Sequence, residues 1–177
     1  MPQIDSARSL LLVIDVQVRL MPTIAEGDGV VANAGRLLAA ARLLDVPVLV
    51  TEQNAAGLGP TVPALAPEPG TVFAKMSFGA TRTPGFLERL PADRDLVVGG
   101  CEAHVCVLQT VLGLREAGRR VAVVADAVGS RRIGNREAAL ARMAAHGAEI
   151  VTTEMVAFEW LGTARHRRFR DVVRLIK

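Results

Sequence analysis

Three side chains in this sequence have the chemistry of a nucleophilic site: the thiol of Cys106, the carboxylate of Asp15 and the ammonium of Lys75. Cys106 lies in Val97-Val98-Gly99-Gly100-Cys101-Glu102-Ala103-His104-Val105-Cys106-Val107, where a β-branched run stops at two glycines and a helical pattern begins. A thiol in the first turn of a helix meets unpaired N–H groups and the positive end of the helix dipole, and both stabilise a thiolate. Asp15 directly follows Leu11-Leu12-Val13-Ile14, so it is held partly desolvated at the end of an apolar run. A carboxylate so placed can take a proton as general base. Lys75, in Phe73-Ala74-Lys75-Met76-Ser77-Phe78, is a lone cation among mostly apolar neighbours. It can pair with Asp15 and favour a thiolate on Cys106. Taken singly, Asp15 reads equally well as a helix cap and Lys75 as a surface lysine. The three complementary groups taken together favour a site.

The elements that must position them follow from the apolar pattern. Short apolar runs predict strands at Leu10–Ile14, Pro47–Thr51, Thr71–Phe73, Asp95–Val98, Val121–Ala125 and Glu149–Thr152. Helical spacing links Val30, Ala34, Leu37, Leu38, Ala41 and Leu44. It predicts further helices at Gly85–Leu90, His104–Ala117 (ended by Gly118) and Asn135–His146 (ended by Gly147), with two more at the C-terminus. Strands that are apolar throughout and alternate with helices imply a mainly parallel six-stranded sheet covered on both faces. The expected fold is therefore a three-layer α/β/α, doubly wound, Rossmann-like domain spanning residues 1–177. Ligands in such folds bind beyond the carboxyl ends of the strands. Asp15, Glu52-Gln53-Asn54, Lys75, Gly99 to Cys106, Asp126 and Glu154 all fall there. The Gly- and Pro-rich stretch from Glu52 to Gly70 is the longest irregular segment, and long loops in compact domains are often functional.

Composition narrows the classes. Half of the 177 residues are hydrophobic and 22% are charged, which excludes disorder. The net charge is +3, with much of the excess in Arg165-His166-Arg167-Arg168-Phe169-Arg170. Asp171 and interleaved apolar residues make that stretch a solvated helix face rather than a nucleic-acid patch. The absence of tyrosine and the low aromatic content remove base-stacking platforms. The apolar run before Asp15 is too short to span a bilayer, and no signal peptide is evident. Two cysteines provide no disulfide framework. A cytoplasmic protein with a small-molecule substrate, and no nucleic-acid or membrane partner, is expected.

With these residues in view, the chain resembles the isochorismatase-like cysteine hydrolase superfamily. The matching segments are LLVIDVQ at 11–17, VPVLVTEQNAAGLGPTVPAL at 46–65, FAKMSFGA at 73–80, VVGGCEAHVCVLQT at 97–110 and VAVVADAVGSR at 121–131. Each motif is weak alone; the ordered set is strong. The resemblance implies an Asp15–Lys75–Cys106 triad with Cys106 attacking a carbonyl carbon and Asp15 moving its proton. It implies an oxyanion hole from the main-chain N–H groups of Glu102 and Cys106, a cis peptide between Cys101 and Glu102, and assembly as a homo-oligomer.

Metal-dependent nicotinamidases of this superfamily carry an Asp-x-His pair and further histidines after strand two. Here Glu52-Gln53-Asn54 stands in that place, and the only histidines are His104, His146 and His166. No metal and no cofactor is expected. True isochorismatases lack the cysteine, so Cys106 argues against that activity. The segment after strand two is most similar to the substrate-unassigned isochorismatase domain-containing members. The expected function is hydrolysis of a small amide, imide or related C–N bond through a thioester. The alternative is an oligomeric or partner-binding protein that keeps the fold and a reactive thiol without turnover. Gln17 is expected beside Asp15, and Gln17, Gln53, Asn54 and Phe78 are candidate substrate-binding residues. His104 does not share a helix face with Cys106 at i, i+2 and is read as a helix-start or pocket-rim residue rather than a base. Cys101 reads as a strand-end core residue. Asp126 reads as structural, bonding loop N–H groups or Arg131, and Trp160 as core or interface.

Overall fold

The computed structural model describes residues 3–177. Six parallel strands form one sheet in the order β3-β2-β1-β4-β5-β6. They are β1 Ser9–Ile14, β2 Val48–Gln53, β3 Val72–Lys75, β4 Asp95–Cys101, β5 Val121–Gly129 and β6 Glu149–Val151. The helices are α1 Gly27–Leu43, α2 Ala55–Leu58, α3 Leu108–Glu116, α4 Ile133–Ala145, α5 Thr153–Leu161 and α6 Phe169–Ile176. This is the doubly wound α/β/α architecture that alternating apolar strands and helices require.

Strand β1 shows why its run is apolar throughout. Leu11 and Val13 point into one core, with Val30, Ala34, Leu37 and Leu38 of α1, Val156 and Trp160 of α5, and Val172 of α6. Leu10, Leu12 and Ile14 point into the other, with Val111 and Leu114 of α3 and Met143 of α4. Side chains alternate across a strand, so a two-sided sheet leaves no position for a polar residue until the strand ends. Trp160 lies in the first core, and its indole N–H donates to Ser9 Oγ at 3.0 Å.

Four element ends differ from the sequence expectation in ways that matter to the site. β2 and β3 each run two residues further, so Glu52, Gln53 and Lys75 belong to strands rather than to the loops after them. β4 continues through both glycines to Cys101, and β5 continues to Gly129, with a register shift where Val98 gives way to Gly100. Gly100 has φ +120, and a Cβ there would sit 2.0 Å from the Ile14 carbonyl oxygen. Gly100 thus lets β4 pass against β1, a Cβ on Gly99 would sit 3.2 Å from the Ala127 carbonyl oxygen of β5, and neither glycine ends the strand. The expected helix at His104–Ala117 is two pieces: a π-helical turn at Ala103–Val107, then α3. The expected helix at Gly85–Leu90 is a 3-10 turn at Leu87–Arg89. The switch in strand order falls between β1 and β4, which carry Asp15 at the end of one and the Cys101–Cys106 segment at the end of the other.

Candidate active site

Asp15 follows the last residue of β1 in a left-handed conformation, φ 50, and its N–H donates to the Thr51 carbonyl at 3.1 Å. Its carboxylate is buried and held on both sides. Lys75 Nζ donates to Oδ2 at 2.6 Å, and Thr51 Oγ1 donates to Oδ1 at 2.6 Å. Lys75 also donates to the carbonyls of Ser77 at 3.2 Å and Phe78 at 3.1 Å. An ammonium has three protons, so all three are placed. The Lys75 and Asp15 side chains are 0% and 1% exposed. Lys75 is therefore not a surface lysine, and it acts on Cys106 through its charge rather than through a hydrogen bond of its own.

Cys106 lies within the π-helical turn and is 6% exposed. Its thiol is pushed up to about 12 from an ordinary 9.0. Burial is the largest cause, followed by the negative charge of Asp15; the charge of Lys75 pulls the other way, and a hydrogen bond with Asp15 and the charge of Glu102 raise the value further. This corrects the expectation of a resting thiolate. A desolvated thiol facing a carboxylate keeps its proton, and the helix start that was to stabilise the anion is a π-turn rather than the first turn of α3.

The peptide joining Cys101 to Glu102 is cis, as the resemblance implies. The Glu102 carbonyl accepts from the N–H groups of Val105 at 3.0 Å and Val107 at 3.2 Å. Its carboxylate accepts from the Arg131 N–H at 2.9 Å, Nε at 3.1 Å and Nη2 at 2.7 Å. Burial pushes the Glu102 carboxyl up, but the Arg131 hydrogen bonds and charge outweigh it and hold it below the ordinary 4.5. Arg131 therefore serves Glu102, not Asp126. Asp126 Oδ1 instead accepts from Thr153 N–H at 2.8 Å and Oγ1 at 3.0 Å, fixing the start of α5.

The remaining candidates separate. Gln17 is fully buried, and its amide is spent on main chain: Nε2 donates to the Gln53 and Gly59 carbonyls at 3.1 and 2.6 Å, and Oε1 accepts from Gln53 N–H at 2.9 Å. It braces the end of β2 and lies beside Asp15 as expected, its N–H donating to the Asp15 carbonyl at 3.0 Å, but its buried, fully bonded amide is not offered to a substrate. The Gln53 side chain reaches the Met76 carbonyl at 3.2 Å. Asn54, at φ 42, donates its N–H to the Lys75 carbonyl at 2.9 Å. With Lys75, Met76 and Arg82, Asn54 lines an open cavity of about 550 Å³ whose walls do not include Cys106. Phe78 is 53% exposed and Met76 71%. His104 is held at both nitrogens, by Ser130 Oγ at 3.0 Å and by Asn135 Nδ2 at 3.3 Å, and neither ring nitrogen bonds Cys106. The Cys101 thiol, raised to about 12 by burial above all, packs in the α1-side core, across the sheet from the core that holds Cys106. Among the described residues no group of three His, Cys, Asp or Glu is placed to hold a metal. No described helix is long and apolar enough to cross a membrane.

Sequence reasoning missed Thr51. A polar residue at the end of an apolar strand was the available signal, but nothing in the sequence says that its hydroxyl meets Asp15.

Comparison with known proteins fits this geometry. The model of the isochorismatase domain matches residues 9–155, and the chain belongs to the isochorismatase family. Isochorismatase domain-containing protein 2 of Homo sapiens is 40% identical over 172 residues, 96% of this chain and 83% of the relative, which places the chain in the domain-containing subgroup. A Caenorhabditis elegans structure called MAR1 ribonuclease superposes with TM-score 0.93 at 37% identity, covering 98% of this chain and 92% of that one. YcaC from Pseudomonas aeruginosa, solved with hexane-2,5-diol and covalent acrylamide, gives 0.91 at 27%, covering 98% and 91%. The YcaC gene product of Escherichia coli, described as an octameric hydrolase of unknown specificity, gives 0.88 at 26%, covering 99% and 95%. Family and neighbours support a hydrolase-type fold.

Proposed function

We propose that this chain is a metal-independent cysteine hydrolase that cleaves a small amide, imide or related C–N bond. The observation that carries the reading is the buried Lys75–Asp15 pair at 2.6 Å beside the Cys106 thiol. A thiol raised to about 12 is almost wholly protonated near neutrality, so it needs a base at the moment of attack. As Cys106 Sγ bonds to the carbonyl carbon, its proton passes to Asp15. The oxyanion is met by the N–H groups of Glu102 and Cys106. Collapse breaks the C–N bond, and Asp15 returns the proton to the leaving amine. Water then attacks the thioester with Asp15 again as base, releasing the acid and restoring the thiol.

The test is turnover of a panel of small amides and imides, with RNA included because of the name of the C. elegans neighbour. Wild type should cleave at least one amide, and Cys106→Ala none. Turnover retained by Cys106→Ala, or RNA cleaved equally by both, overturns the reading. The alternative, a fold kept for assembly or partner binding, is favoured by the 6% exposure of Cys106 and by a thiol raised rather than lowered, and predicts no turnover by wild type. A homo-oligomer in the cytoplasm belongs to the same proposal. The octameric E. coli neighbour and the exposed Met76 and Phe78 beside Lys75 support the assembly. Light scattering of the purified protein checks it.

A further inference from the structure

We infer that Thr51 is a positioning residue for the proposed reaction, its hydroxyl fixing the carboxylate that receives the Cys106 proton; the inference rests on that reading of Asp15. One residue grips Asp15 twice: Thr51 Oγ1 donates to Oδ1 at 2.6 Å, and the Thr51 carbonyl accepts the Asp15 N–H at 3.1 Å. Both residues are at 0% exposure, so water cannot replace the hydroxyl. Leu49 and Val50 precede Thr51 in β2, both buried and apolar. A buried hydroxyl costs free energy unless it is bonded, and valine would fill a similar volume without that cost. Here the hydroxyl is bonded, and its acceptor is the candidate base.

The bond has two chemical consequences. An ionised carboxylate only accepts hydrogen bonds, so Thr51 must donate, and a donor favours the charged form that can take a proton. With Thr51 on Oδ1 and Lys75 on Oδ2, the carboxylate plane is also anchored at both oxygens, which holds it in one orientation toward the thiol. Thr51 keeps its own proton throughout; the moving proton passes between Cys106 Sγ and Asp15. The titratable groups that interact with Asp15 are Lys75 from β3, Cys101 at the end of β4 and Cys106 from the π-turn, with Glu102 acting on both thiols.

The test uses p-nitrophenyl acetate, whose nitrophenolate release reports acylation, measured across pH for wild type, Thr51→Val and Thr51→Ser. Loss of one hydrogen bond to a charged group should move the acid limb of the Thr51→Val profile upward by about 1–2 pH units. Thr51→Ser, which keeps the hydroxyl, should return it to the wild-type position. A role in packing alone predicts the reverse, because valine keeps the methyl that serine loses. A Thr51→Val profile that superimposes on wild type, or a Thr51→Ser profile that follows Thr51→Val, overturns the inference. If Thr51→Val does not fold, Thr51→Ala is compared with Thr51→Ser: both lack the methyl, so a packing role predicts coincident profiles and the hydroxyl role predicts an upward shift in Thr51→Ala alone. Cys106→Ala separates the two levels. Release undiminished in Cys106→Ala sinks the nucleophile itself, whereas a silent Cys106→Ala with an unmoved Thr51→Val sinks only the role of Thr51.

Discussion

Replacing Asp15 by asparagine should drive the reactivity of Cys106 and the turnover of the enzyme in opposite directions. At pH 8 a thiol titrating at 9.0 is about one-tenth thiolate, whereas one titrating at about 12 is roughly one ten-thousandth. Burial is the largest cause of that difference and survives the substitution. The second cause, the Asp15 charge, disappears, while Lys75 keeps two main-chain acceptors. A nearby charge moves a titration by about 1–3 pH units, so iodoacetamide labelling of Cys106 in Asp15→Asn should rise about tenfold or more at pH 8. Acylation by an amide or ester substrate should fall by about 10²–10⁴, the usual worth of a general base. The assay pairs peptide-resolved labelling with turnover on the same preparation, checked for a native melting transition. The reasoning is refuted if labelling and turnover fall together, because Asp15 would then favour the thiolate at rest and would not simply receive its proton during attack.

Lys75→Met makes the converse change. It leaves Asp15 buried without its cation, which should cost about 3–5 kcal/mol in urea unfolding and slow Cys106 labelling; a cost under about 1 kcal/mol would mean that the pair is not buried as described. Arg131→Met removes the group that holds the Glu102 carboxyl low. A depressed carboxyl stabilises the fold above its ordinary 4.5 and loses that contribution as pH falls through the lower folded value. With Arg131 60% exposed, the deficit at pH 7 should be small and should close in acid; a deficit that does not change with pH contradicts the assignment. Gly100→Ala sets a Cβ 2.0 Å from the Ile14 carbonyl oxygen at φ +120, so the variant should lose more than about 4 kcal/mol or fail to fold. A melting temperature near wild type would show that β4 can shift there.

The layers and the sheet were legible because β1, β4 and β5 are apolar on both faces and α1 carries its stripe at helical spacing. Strand ends were less legible. Gly99-Gly100 reads as punctuation, yet the missing side chain of Gly100 is what lets β4 run on against Ile14. Asp15, Lys75 and Cys106 could be grouped by chemistry, and the fold brings Asp15 and Lys75 to 2.6 Å. What the letters could not give was each group's surroundings. The thiol stands at about 12 because Asp15 and the core surround it, and neither is visible in the local stretch around Cys106. Gln17 failed as a pocket residue for the same reason: its partners, the Gln53 and Gly59 main-chain groups, lie 36 and 42 positions away.

The two cysteines sit on opposite sides of the sheet, Cys101 with the α1, α5 and α6 layer and Cys106 with the α3 and α4 layer. Burial raises both to about 12, so each is far less reactive in the folded chain than an exposed thiol at 9.0. Only Cys101 is wholly enclosed, at 0% exposure, so its labelling waits for the α1, α5 and α6 layer to open, whereas Cys106 at 6% is labelled from the folded state. Resolved by peptide mass, the Cys101 rate therefore times the opening of that layer, and the Cys106 rate follows the proton on its own thiol.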